Sequence, residues 1–293
     1  MQKELLLAIG DERAASYTLR YLKEIYDSFD NLRLTLFYAA PRPARYMHDD
    51  GVTPSDAGLR KLDAAKRTKG GQAIENALKW LRDYGGCPEK NVRTKMIHSQ
   101  KGTVCELVEE ARAGAYDALL LGRRGFSWFE EVFANSVSHE LLWQDIDFPL
   151  WICRRPPKNP RRDVLLCLDG SPASLRMVDH AGYMLAEEAA HTFTLFHVTS
   201  GGLDASASVR LFDEGLAALT ENGIAEERIE MKIVKGRNQV RAILKEAAEG
   251  NYSAVGLGRH GEYSRSQKQN MFPDSTCVNL LRQMENTPLW ISK

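Results

Sequence analysis

Phe133-Ala134-Asn135-Ser136, Leu141-Leu142 and Pro149-Leu150-Trp151-Ile152 return 139 residues later as Phe272-Pro273-Asp274-Ser275, Leu280-Leu281 and Pro288-Leu289-Trp290-Ile291. Three blocks at one offset make a tandem duplication, which decides the fold before any element is assigned. Upstream, Leu121-Gly122-Arg123-Arg124-Gly125 matches Leu257-Gly258-Arg259-His260-Gly261 at an offset of 136, so the second copy gains three residues between these blocks. Further upstream, Ala8-Ile9-Gly10-Asp11 aligns with Cys167-Leu168-Asp169-Gly170 at 159, which places 23 additional residues in the first copy, within 41–90. The Pro- and Arg-rich stretch 154–162 cannot continue a helix or a central strand. The expected division is a first domain at 1–155, a linker at 156–162 and a second domain at 163–293.

Within the first copy, short apolar runs at 5–9, 32–38, 92–97, 118–121 and 150–153 alternate with segments of helical period. Near-continuous apolar runs indicate strands covered on both faces, as in a parallel sheet. Leu19, Leu22, Tyr26 and Phe29 share one helical face, as do Val104, Leu107, Val108 and Ala111. Thr103 and Glu106 have capping-box spacing, and Gly114 is placed to stop that helix. The second copy repeats the scheme with Leu175, Val178, Gly182 and Leu185, then Val240, Ile243, Leu244 and Ala247. Alternating βαβα with right-handed crossovers makes each copy an open, doubly wound α/β sheet of five parallel strands.

The chain's 293 residues carry 39 basic and 39 acidic side chains, so no net field attracts nucleic acid or an anionic membrane, and any anion site must be local. The apolar run at 5–9 is too short for a signal core or a membrane span, and the expected address is cytoplasmic. Cys87, Cys105, Cys153, Cys167 and Cys277 form no C-x-x-C pair and read as reduced core residues. The seven histidines have no metal-ligand spacing. No P-loop, no Gly-x-Gly-x-x-Gly after a first strand and no nucleophile elbow around Ser136 or Ser275 is present.

In a doubly wound sheet, ligands sit outside the carboxyl ends of the strands, at the topological switch point. There Gly122-Arg123-Arg124-Gly125 ends a strand, and Asn135-Ser136 opens the next helix. Glycines let backbone approach a ligand, Arg123 and Arg124 add charge, and a serine at a helix start holds phosphate. Alone, the pattern also reads as a strand-to-loop turn followed by an N-cap serine.

As an ensemble the motifs resemble the universal stress protein family, whose signature is Gly-x2-Gly-x9-Gly-Ser/Thr after the fourth strand. The second copy adds Leu168-Asp169-Gly170-Ser171 at its first strand end, Phe196-His197-Val198 at its second, Val234-Lys235-Gly236 at its third, and the closing Pro-Leu-Trp-Ile. The resemblance implies an adenine-nucleotide α-hydrolase-like fold in both copies. It implies a stress-response protein that binds ATP or another adenine nucleotide, with Mg only alongside nucleotide and at most slow, incidental hydrolysis.

Carried over residue by residue, the resemblance assigns Asp169, Val198, Gly236, Gly258, Gly261 and Ser275 to a site in the second copy, and in the first only Gly122, Gly125 and Ser136. Arg259 in the second copy, and Arg123 and Asn135 in the first, join the candidate residues by their place within these motifs. The first copy departs at Gly10, where the aspartate belongs, at Gln100, where the third-strand glycine belongs, and at Asn135. The second departs at Asp274, whose charge opposes phosphate and is offset by Arg259, Arg265 and Lys268. The alternatives are a scaffold without nucleotide and an adenylyl-transfer enzyme, which lacks a catalytic constellation. Residues 41–86 read as an elaborated crossover helix or as a lid or partner surface near the first copy's ligand edge. Trp151 and Trp290 lie in edge strands, which invite pairing. In the family that the chain resembles these strands commonly mediate dimer contact, and the resemblance implies that Leu150–Cys153 pairs antiparallel with Leu289–Ser292 as an intrachain pseudo-dimer, with further homodimerisation left open.

Overall fold

The computed structural model describes residues 1–10, 14–40, 56–99, 101–122, 146–154, 162–199, 205–259, 276–284 and 286–293. The chain divides into two compact units, Met1–Leu19 with Ser28–Asp145, and Arg20–Asp27 with Ile146–Lys293. The division differs from the linker boundary expected from the sequence for a reason visible in the strand pairing below.

In the first unit, β1 (Lys3–Ala8), β2 (Leu32–Ala40), β3 (Val92–His98) and β4 (Ala118–Gly122) pair in parallel in the order β3-β2-β1-β4. Leu5, Leu6, Leu7, Leu34, Leu36 and Leu120 are fully inaccessible, because both faces of these strands are covered. The helix α1 (Ala14–Ile25) begins in this unit and ends in the other. It stops at Ile25, so Phe29, expected on its face, is buried from a turn beyond it. The crossover helix expected in the insertion is α2 (Asp56–Trp80); it buries Ile74 and Ala77 and runs into a π turn at Leu81–Gly85.

The helix α3 (Thr103–Ala113) corrects the expected capping box. Gly102 is its N-cap, Thr103 already lies inside the helix, and the Glu106 carboxylate reaches back to the Lys101 N–H at 3.2 Å. Gly114 follows the last turn as expected, but with φ −87°; the left-handed residue is Ala115.

The second unit holds β6 (Asp163–Cys167), α4 (Pro172–Leu185), β7 (Thr192–Thr199), α5 (Ala205–Glu221), β8 (Ile229–Lys235), α6 (Gln239–Gly250), β9 (Ala254–Gly258), α7 (Thr276–Gln283) and β10 (Leu289–Ser292). It also takes β5 (Leu150–Cys153), the last strand of the first repeat, giving the order β5-β10-β9-β6-β7-β8. The β5–β10 pair is antiparallel, with Trp151 opposite Trp290, Leu150 opposite Ile291 and Ile152 opposite Leu289, as the sequence leads one to expect. Antiparallel pairing of two identical Leu-Trp-Ile segments places the tryptophans on a local two-fold, where their rings stack at 3.9 Å and 5°.

Both indoles are fully buried. Trp151 Nε1 donates to His180 Nε2 at 3.0 Å. The counterpart of His180 across the duplication is Tyr21, 159 residues earlier, from the part of α1 that belongs to this unit. Its hydroxyl lies beside Trp290 Nε1, and neither atom completes a hydrogen bond of normal geometry.

Fine detail repeats too. Glu246 takes hydrogen bonds from Lys232 at 2.8 Å and from the Tyr252 hydroxyl at 2.7 Å. Burial works against that carboxylate, but Lys232 and Tyr252 outweigh it and hold Glu246 below the usual range. In the first unit Glu110 is paired in the same way with Lys95 and with Tyr116. The duplicated latch fastens the third helix of each repeat to its sheet.

Candidate functional site

Parallel strands deliver their C-terminal ends, and the loops that leave them, to one side of a sheet. At the end of β6 the chain passes through Leu168 and Asp169, turns at Gly170 with φ +82°, and enters α4 through Ser171. Only glycine takes that φ without strain. Ser171 caps α4 by accepting from Ser174 N at 3.1 Å, and Pro172 supplies the first helical position. The Asp169 carboxylate is locked from below: its Oδ1 accepts from Ser171 N at 3.0 Å and from Ser171 Oγ at 2.6 Å. Asp169 itself is exposed, so its charge faces outward from a rigid base.

At the neighbouring strand end, His197 donates through Nδ1 to the Leu168 carbonyl at 2.8 Å, tying β7 to the residue before Asp169. Val198 follows, nearly buried. Gly236 leaves β8 with its N–H on the Thr199 carbonyl; a Cβ there would lie 3.5 Å from Val198 Cγ1. Gly258 ends β9 against the start of α4, where a Cβ would come within 2.1 Å of Ser174 N and 2.5 Å of Ala173 C. Backbone meets backbone here, and no side chain fits. Arg259 then bonds through its N–H to the Ser292 carbonyl at 2.7 Å. Its guanidinium is partly buried, which pulls its pKa down, and it faces Cys277, whose thiol burial pushes up to about 11.

Asp169, Val198, Gly236, Gly258 and Arg259 therefore come together at the carboxyl ends of adjacent strands. Gly261 and Ser275 lie outside the described residues, as do Asp274, Arg265 and Lys268. In the first unit only Gly122 of the expected set is described, at the end of β4; Arg123, Gly125, Asn135 and Ser136 are not.

The strand registers assign the counterparts in the first unit. Ile9 N bonds to Phe37 O as Leu168 N bonds to Phe196 O, so Gly10 does stand where Asp169 stands. Ala39 occupies the place of Val198. Ser99, not Gln100, occupies the place of Gly236, since Ser99 N bonds to Ala40 O as Gly236 N bonds to Thr199 O. The sequence alignment slips by one because no gap marker separates the third strand from its loop. Ser99 is almost fully buried, so its side chain fills space that Gly236 leaves open. Sequence reasoning also missed Ser174 and His197 as supports. The signal for Ser174 is its spacing of three from the capping serine.

The other expectations about chemistry stand as follows. None of the five cysteines is in a disulfide; burial chiefly pushes the Cys87 thiol up to about 11, keeping it protonated. Among the described residues no group of His, Cys, Asp or Glu has metal-site geometry, and no helix is long and apolar enough to cross a membrane.

A parallel sheet in which glycines stand at the carboxyl ends of the strands flanking the switch point is a doubly wound α/β fold. Residues 160–291, which span the second repeat, match the model of the Universal stress protein family, and that repeat belongs to it. A universal stress protein of Archaeoglobus fulgidus aligns over 99% of this chain and 96% of its own, at 20% identity and a TM-score of 0.66. A Pseudomonas aeruginosa protein assigned to the same family aligns over 100% and 93%, at 13% identity and a TM-score of 0.52. At such identities the likeness establishes the fold. A universal stress protein solved in complex with cAMP aligns over 45% of this chain and 97% of its own, at 22% identity and a TM-score of 0.38. No curated protein sequence matches the chain.

Proposed function

We propose that the protein binds an adenine nucleotide in its second unit, as a stress-response binding protein with at most slow, incidental hydrolysis. The observation that carries this reading is the convergence of Asp169, Val198, Gly236 and Gly258 on one set of strand ends. A rigidly based carboxylate accepts from amino or hydroxyl groups, Gly236 leaves room beside Val198 for a flat base and a ribose, and Gly258 lets the start of α4 sit against the strand end. Arg259 supplies positive charge on the phosphate side, with Mg accompanying the nucleotide. The expected protein is cytoplasmic, with neither nucleic acid nor membrane as partner.

A second reading has a specific observation behind it. Gly10, Ala39 and Ser99 remove from the first unit the carboxylate, the valine and the open glycine, so that unit serves packing or partner contact without nucleotide. Calorimetry with ATP, ADP and AMP tests both. The expected result is one site per chain, weakened roughly 10- to 100-fold by Asp169→Ala, the worth of a hydrogen bond to a charged group. Absence of binding at millimolar nucleotide, or binding indifferent to Asp169→Ala, overturns the first reading; two equal sites overturn the second.

A further inference from the structure

β8 ends the strand order of its unit and, among the described residues, pairs only with β7. Its central residues are exposed on both faces: Glu230 and Lys232 on one, Met231 (48%) and Ile233 (49%) on the other. Val209 of α5, the helix that covers Leu195 on the Met231 face of the sheet, is exposed as well, at 58%. Natural edge strands are usually blunted by charge, a bulge or proline, so an uncovered edge with an apolar face calls for an occupant.

The direction of the backbone groups restricts how that edge can pair. Gly236 N points at β7, and in a parallel strand the residues two, four and six positions back do the same. Lys232 and Glu230 therefore spend their backbone groups on β7, and Ile229, Met231 and Ile233 present theirs outward. An antiparallel partner must set its own outward residues opposite these. When the partner is a second β8 related by a two-fold through Met231, Met231 faces Met231 of the other copy, and Ile229 faces Ile233. Each of these pairs exchanges two backbone hydrogen bonds. Between them Glu230 falls opposite Lys232 and Lys232 opposite Glu230, in the narrow pairs where side chains approach most closely.

We infer that the exposed edge strand Ile229–Lys235 is a self-complementary surface through which two copies of this chain associate about a two-fold axis at Met231. The edge strand of the first unit, β3, is a built-in contrast. It carries Arg93 and Lys95 and no acidic residue, and Ser99 N turns its odd-numbered backbone groups inward. Self-pairing about Thr94 then sets Arg93 opposite Lys95, and self-pairing about Lys95 sets lysine against lysine. Like charges opposite one another repel, so β3 is protected from self-association.

Sedimentation velocity on the full chain, 33.0 kDa as a monomer, gives the first test. Strand pairing with little buried area predicts a reversible dimer with Kd on the order of 10 µM. Glu230→Lys, a surface change, is expected to weaken it about tenfold by setting two like pairs across the axis. Met231→Cys is expected to yield a disulfide-linked dimer on mild oxidation, and Met96→Cys on β3 is not. A monomer up to roughly 300 µM, a dimer indifferent to Glu230→Lys, or cross-linking through Met96→Cys instead of Met231→Cys overturns the proposal. The cross-link reads the register directly, so it decides the case even if Glu230→Lys perturbs folding.

Discussion

Gly258 shows what one residue contributes to the site. Its missing side chain lets α4 begin almost in contact with the end of β9, and a Cβ would press on backbone atoms that cannot rotate away. Gly258→Ala is therefore expected to cost about 3 kcal/mol, read as a drop in the urea midpoint, and to weaken nucleotide binding along with it. Gly256 is more forgiving, because a Cβ there meets the side chains of Leu166 and Met177. The glycine at 258 is legible in the sequence as part of a motif, but its reason is not, since the obstructing residues lie 84 and 85 positions earlier at Ser174 and Ala173. The same distance hides His197: adjacency to Val198 is visible in one dimension, and the bond to Leu168 only in three.

At the scale of elements, the inner strands were legible because burial on both faces makes them near-continuous apolar runs, whereas the edge strands β3 and β8 mix charged with apolar residues. The run at 150–153 coincides with β5, and 118–121 falls one residue short of β4. Helix ends were less legible. Tyr26 and Phe29 keep the helical spacing of α1 although the helix closes at Ile25, because a buried turn satisfies the same pattern. The β5–β10 pair could be anticipated from the edge position of both strands and the family resemblance, yet its polar contacts could not. Trp151→Phe tests them: it removes the donor to His180 Nε2, leaves that nitrogen buried, and is expected to cost about 2 kcal/mol, or roughly 4–8 °C in the melting temperature.

For the whole molecule, the buried histidines set how stability depends on pH. Burial pulls His180 from the ordinary 6.5 to about 3, and chiefly burial pulls His191, whose Nε2–H donates to the Ile25 carbonyl, to about 4. The unfolded chain takes up both protons below pH 6.5 while the folded chain resists, so their contribution is complete above 6.5 and falls steadily toward pH 4. Glu24, raised by burial to about 7, acts in the opposite sense but is partly exposed. Melting temperature against pH is expected to decline from 6.5 to 4, and His180→Gln with His191→Gln, which keeps an acceptor and a donor in place, to flatten the curve. A fragment of residues 162–293 is expected to be unstable or self-associated, because it lacks both β5 and Arg20–Asp27, which belong to its unit.

The pairing of β10 with a strand of its own polypeptide has a genetic consequence. In an assembly of identical subunits every mutation is made twice and must be tolerated on both sides of the axis at once. Here a change on one side leaves the other untouched, which is how tyrosine can face one tryptophan and histidine the other, and how one repeat can keep an aspartate that its twin has exchanged for glycine.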